Sequence, residues 1–78
     1  MKIREGKGVV KYLQRRNILK QYKIAKKHFE KNHFKIIDDK LRKPKINGIY
    51  QFKITGKYRA FYVLREEGAV VYKISDHQ

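Results

Sequence analysis

Lys53, Arg59, Ser75 and His77 could together hold an anion and move a proton. A lysine brings a compact positive charge, and a guanidinium brings planar donors that match two oxygens of a phosphate or carboxylate. An imidazole titrates near pH 6.5, so it can give or take a proton at neutral pH. These four residues are separated along the chain, so a folded element must gather them.

A sheet can do so. Three runs rich in β-branched and aromatic residues, Ile49–Ile54, Tyr58–Leu64 and Ala69–Ser75, are divided by gaps holding Gly56 and Gly68. Even positions (Tyr50, Phe52, Ile54, Tyr58, Ala60, Tyr62, Leu64, Val70, Tyr72, Ile74) are apolar or aromatic, whereas odd positions carry Gln51, Lys53, Arg59, Lys73 and Ser75. Successive side chains of a strand point to opposite faces, so the even set predicts a core face and the odd set a second face suited to something polar and anionic. Keeping even residues opposite even ones requires opposed residue numbers with an even sum. A three-residue Thr55-Gly56-Lys57 loop, with Gly56 left-handed, does this by pairing Lys53 with Arg59. A five-residue second loop pairs Leu64 with Val70 and Arg59 with Ser75. The expected product is a row of Lys53, Arg59 and Ser75, with His77 at its end opposite Lys57.

The preceding chain must cover the even face. Met1–Glu5 could form a short edge strand. From Val9 to Asn32 the apolar residues fall at helical spacing: Val9, Val10, Tyr12 and Leu13, then Ile18, Leu19, Tyr22, Ala25 and Phe29. The polar run Gln14–Asn17 between them predicts a helix hairpin, with Asn17 as N-cap of the second helix and Asn32 at its C-terminal end. Residues 33–48 read as an extended segment anchored by Phe34, Ile36, Ile37, Leu41 and Ile46, because Pro44 opposes a regular helix. The expected fold is α+β: an N-terminal helix hairpin packed on a small antiparallel sheet, with the odd face open.

Composition sets bounds. Seventy-eight residues make one domain, residues 1–78, with a modest core. Twenty-one basic and seven acidic residues leave a net charge of +14, which favours a polyanion, most simply nucleic acid; anionic membrane and acidic protein are the alternatives. With no cysteine, disulfides and cysteine-based zinc sites are excluded. His28 and His33 read as helix-surface and loop residues, and the three histidines have no recognisable zinc spacing, so no metal or cofactor is expected. No long apolar run or signal-like N-terminus is present, so a soluble cytoplasmic protein without membrane attachment is expected.

The segment Gly48–Tyr62, followed by Val71–Gln78, resembles the C-terminal half of the RelE/ParE toxin superfamily: a tyrosine-and-lysine strand, a strand with the Tyr58-Arg59 and Tyr62 signature, and a last strand ending in a histidine. The helix hairpin matches in order and size. This resemblance implies a RelE-like, microbial-RNase-like fold and the toxin of a bacterial or archaeal toxin–antitoxin pair. It implies cleavage of messenger RNA, often on the ribosome, and a cognate antitoxin partner that holds the toxin inactive. By position, Arg59 matches the family arginine at the scissile phosphate, Lys53 a basic residue on the preceding strand, and His77 a C-terminal catalytic group; Gln51 stands where some members have a second lysine.

Metal-independent RNA cleavage uses the ribose 2′-hydroxyl as nucleophile and needs a base, an acid and positive charge at phosphorus. Arg59 with Lys53 would supply the charge and His77 the acid; Lys53 or an inward-pointing Asp76 are the candidates for base. Gln51, Lys73 and Ser75 lie on the same face as RNA contacts. Phe61 could stack a base or pack under an antitoxin segment, and Lys43 and Lys45 could line a phosphate track. Tyr50, Tyr58, Tyr62 and Tyr72 read as core or core edge. Two other functions share these features: a ParE-like gyrase inhibitor without nuclease chemistry, and a non-toxic basic nucleic-acid-binding domain.

Overall fold

The alternating runs form strands. The computed structural model describes residues 1–76 and contains β1 (Ile3–Glu5), α1 (Val9–Arg15), α2 (Leu19–Glu30), β2 (Lys40–Leu41), β3 (Ile49–Lys53), β4 (Tyr58–Arg65) and β5 (Gly68–Asp76), with a 3₁₀ turn at Lys45–Asn47. The strands make one sheet in the order β1-β5-β4-β3-β2. Three junctions are antiparallel, but β1 runs parallel to β5. The expected antiparallel sheet is therefore mixed. A parallel pair needs a long crossover, and here everything between β1 and β5 serves as one.

Two asparagines divide the helices. Asn17 and Asn32 both adopt left-handed backbone, with φ of 59° and 63°. Ile18 N–H donates to the Leu13 carbonyl and His33 N–H to the His28 carbonyl, closing the same C-terminal motif after each helix. Asn32 thus ends α2 as expected. Asn17 terminates α1 rather than capping α2, whose N-cap is Ile18, because the left-handed turn uses asparagine's tolerance for positive φ.

Leu13, Tyr22 and Phe29 project from the helices onto Phe52, Ala60, Tyr62, Val71 and Ile74 of the sheet. The Phe29 ring meets Tyr62 edge-on at 5.1 Å and Phe52 at 5.5 Å. Polar ties lock the edges. Tyr22 Oη and Lys26 Nζ donate to Glu5 Oε2 at 2.7 and 2.9 Å, and Ile3 N–H donates to Glu30, pinning β1 to α2. Burial by itself would raise the Glu5 carboxyl, but the bonds from Tyr22 and Lys26, with the lysine charge, outweigh it and hold the carboxyl below its ordinary range. The Tyr62 hydroxyl donates to Asp39, whose carboxyl is pushed up by burial first and by Asp38 second.

The first hairpin has the expected register, Lys53 opposite Arg59. Its turn is held differently: Gly56 is not left-handed, and Thr55 Oγ1 accepts from the N–H groups of Lys57 and Tyr58. The second hairpin departs further. Its loop is two residues, Glu66 and Glu67, with Arg65 opposite Gly68. Gly68 has φ of 135°, and a Cβ there would collide with the Lys2 carbonyl, which accepts from Ala69 N–H. That tight loop puts Leu64 opposite Ala69, whereas further along Arg59 still faces Ser75. One extra residue in β5, Tyr72, absorbs the mismatch as a bulge between Phe61 and Tyr62. The core side beyond it is therefore taken by Ala69 and Val71, not by the expected Val70 and Tyr72.

In residues 33–48, Ile37 is buried and its carbonyl accepts from Lys53 N–H at 2.6 Å; Phe34 packs against Phe29. Ile36 and Ile46 are exposed, 64% and 92%, so neither anchors the segment. Both sit in turns closed by their own backbone bonds, from Asp38 N–H to the Lys35 carbonyl and Asp39 N–H to the Phe34 carbonyl around Ile36, and from Gly48 N–H to the Lys45 carbonyl around Ile46, which relieves side chains of that task.

Candidate nucleic-acid interface

With the helices on one side of the sheet, the other side carries three rows across the strands. At the first turn lie Lys53, Arg59 and Ser75, directly opposed in sequence order of the strands. Next come Lys40, Gln51, Phe61 and Lys73. The last row is apolar: Ile49, Val63 and Val70, with Arg4 of β1 beside Val70 and the backbone of Arg42 bonded to Ile49. Directly opposed side chains stand within about 5.5 Å at Cβ, so each row is a contiguous surface.

Arg59 is half-buried. One Nη donates to the Thr55 carbonyl at 3.0 Å, which orients the guanidinium against its own turn. A guanidinium has five N–H donors, so four remain for an incoming anion. Lys53 and Lys73 are exposed. The four ion pairs among the described residues are Arg4–Glu67, Lys26–Glu5, Lys40–Asp38 and Lys57–Asp76; Lys53, Arg59 and Lys73 take no part in them. The positive charge of Lys53, Arg59 and Lys73 is thus available to a ligand, whereas Lys40 at the end of the second row is paired with Asp38.

Phe61 is only 8% exposed, because Arg42 lies over its ring with the guanidinium carbon 4.3 Å from the centroid and Lys73 Nζ at 5.9 Å. It serves as an apolar floor rather than a free stacking platform. Beside it a cleft of about 300 Å³ is lined by Arg42, Lys43, Asn47, Ile49, Tyr72 and Lys73 among others. Lys43 therefore belongs to this surface. Lys45 is exposed on the 3₁₀ turn and does not line the cleft. A shallower hollow of about 560 Å³ covers the apolar row, rimmed by Arg4, Arg65 and Glu67.

Of the residues singled out by pattern, the fold brings Lys53, Arg59, Ser75, Gln51, Phe61, Lys73 and Lys43 onto one face. His77 lies outside the described residues. Asp76 does not join them: it stands opposite Tyr58 on the helix side, 3.8 Å from Lys57, because it follows Ile74 in the alternation and not Ser75. His28 and His33 approach each other, Nδ1 to Nδ1 at 3.3 Å, at the end of α2. Among the described residues, neither cationic row contains a carboxylate or an imidazole, and no three His, Cys, Asp or Glu residues gather as a metal site.

Arg42, Asn47 and Tyr72 are the surface residues that pattern reading missed. For Tyr72 a signal existed: a tight loop before Gly68 and an Arg59–Ser75 pair demand sums of opposite parity, which only an extra residue can reconcile. Arg42 and Asn47 reach the face through the path of residues 42–48, for which no local periodicity exists.

Comparison of the chain with protein-family models and with curated proteins finds no match. Among the described residues no helix is long and apolar enough to cross a membrane.

Proposed function

We propose that the open face binds single-stranded RNA and that the protein is an mRNA endoribonuclease, the toxin of a toxin–antitoxin pair with a RelE-like fold. The observation that carries this reading is the adjacency of Lys53, Arg59 and Lys73 on one face, where no carboxylate among the described residues pairs with them. A phosphodiester docked there meets a guanidinium already oriented by Thr55. The ribose 2′-hydroxyl loses its proton to water and attacks phosphorus, the phosphorus–5′-oxygen bond breaks to leave a 2′,3′-cyclic phosphate, and Arg59 with Lys53 stabilises the extra negative charge of the pentacoordinate state. His77 protonates the leaving 5′-oxygen. Presentation of the message by the ribosome fixes the attack geometry, a task this small surface leaves to its partner. A cognate antitoxin holds the toxin inactive; an acidic amphipathic segment complements the apolar row and its Arg4 and Arg65 rim.

Inducible expression with mapping of RNA ends tests the reading. Arg59→Ala is expected to lower cleavage about 100-fold or more and to relieve growth inhibition, with the circular dichroism spectrum unchanged. Undiminished cleavage by that variant rejects the site.

Among the described residues the cationic rows hold neither a carboxylate nor an imidazole, and a face that acts by charge alone would suit, as a second reading, a ParE-like inhibitor of DNA gyrase. His77→Gln separates the two: persistent toxicity with a DNA-damage response, and intact messages, supports the gyrase reading. Harmless expression in cells without any antitoxin points instead to a plain nucleic-acid-binding domain.

A further inference from the structure

We propose that the cleft beside Tyr72 is a nucleobase subsite, which seats one unpaired base next to the phosphate held by the cationic rows; this rests on the reading of the open face as an RNA surface. Several features of the cleft favour that ligand. At about 300 Å³ it sits at the lower end of small-molecule pockets and suits one planar group. Its floor is Phe61, and the Arg42 guanidinium carbon lies over that ring at 4.3 Å from the centroid, so a guanidinium and an aromatic ring border the cleft together. Bases stack on guanidinium planes and on aromatic rings alike. Tyr72, 43% exposed, supplies the ring. Asn47 has both amide donors and a carbonyl acceptor, which suits the edge of a base. Lys43 and Lys73 stand on the lining for the flanking phosphates, and among the described residues no carboxylate lines the cleft.

Tyr72 occupies this position because of the bulge. In an unbroken strand paired from Arg59–Ser75, residue 72 would share the core side with Ile74. As the extra residue it lines both the cleft and the neighbouring apolar hollow. The bulge therefore converts a core position into a wall of the binding surface, without disturbing Phe61–Lys73 on one side or Tyr62–Val71 on the other.

The test uses single-stranded 2′-deoxy tetranucleotides, which lack the attacking hydroxyl, with one abasic position moved along the strand. Affinity is read by fluorescence anisotropy. One abasic position is expected to cost about ten-fold in affinity, as loss of a single stacked base does, and the others little. That penalty disappears in Tyr72→Ala and in a variant lacking residue 72, which closes the bulge into regular pairing, but survives in Tyr72→Phe. A flat scan in the wild type, or a penalty retained in Tyr72→Ala, overturns the subsite. So does an acidic tetrapeptide of matched charge that binds with the same dependence on Tyr72. A flat scan beside Arg59-dependent cleavage removes the subsite and leaves the nuclease reading standing. A Tyr72-dependent scan in a protein that cleaves nothing supports the subsite and removes the nuclease reading.

Discussion

The two halves of the open face are built from the same three strands but work by different physics. Near the first turn, Lys53, Arg59 and Lys73 present uncompensated charge; toward the second turn, Ile49, Val63 and Val70 present a half-buried apolar strip. The charged half attracts at long range and weakens with salt, whereas the apolar half gains by removing surface from water and is largely indifferent to salt. Tyr72 stands at the junction and lines hollows on both sides. One small sheet can thus offer separate footholds to a polyanion and to an amphipathic segment.

That division can be broken from beneath. Phe52 is fully buried and contacts the rings of Tyr22, Phe29 and Tyr62, so it supports both halves at once. Phe52→Ala should cost about 3–5 kcal/mol, read by urea denaturation, and both binding activities should fail together. A variant that lost only one would show the halves to be mechanically separate.

A smaller change should act on the apolar half first. β1 borders only that half, and Glu5 clamps it to α2. Because the folded Glu5 carboxyl is held below its ordinary range, its contribution is fully present above the unfolded value and is lost as pH falls through the folded one. Glu5→Gln should therefore cost about 1–2 kcal/mol at neutral pH, and the gap from wild type should close in acid. A gap that stays constant down to pH 2 would contradict the assigned clamp.

The smallest expected effect sharpens the comparison most directly. Lys73→Ala should reduce the salt dependence of oligonucleotide binding by roughly the release of one counterion, a slope change of about 0.7 for a single strand. Val63→Ala should leave that slope unchanged. Equal slope changes in the two variants would erase the distinction between the halves.

Much of the fold was legible in the chain because its signals are local. The helix stripes ending at Phe29, the period-two runs and the three-residue turn at Thr55 each lie within a few residues, and together they place Lys53 beside Arg59. Residues beyond the reach of such signals were misjudged. Ala69, Val70, Val71 and Tyr72 are all apolar, so alternation alone could not tell which pair faces the core. Ile46, apolar in sequence, is 92% exposed because a 3₁₀ turn carries it away from the sheet. Arg42 meets Phe61 only across two strand junctions.

The amino-acid order by itself determined a basic α+β domain with a cationic row on one sheet face, because charge and short-range periodicity are properties of the chain alone. The position of the bulge, the parallel docking of β1, and the cleft joining Arg42, Asn47 and Tyr72 were decided only on folding. Each depends on how two distant registers are reconciled against a shared core, and that is settled by packing the whole sheet at once.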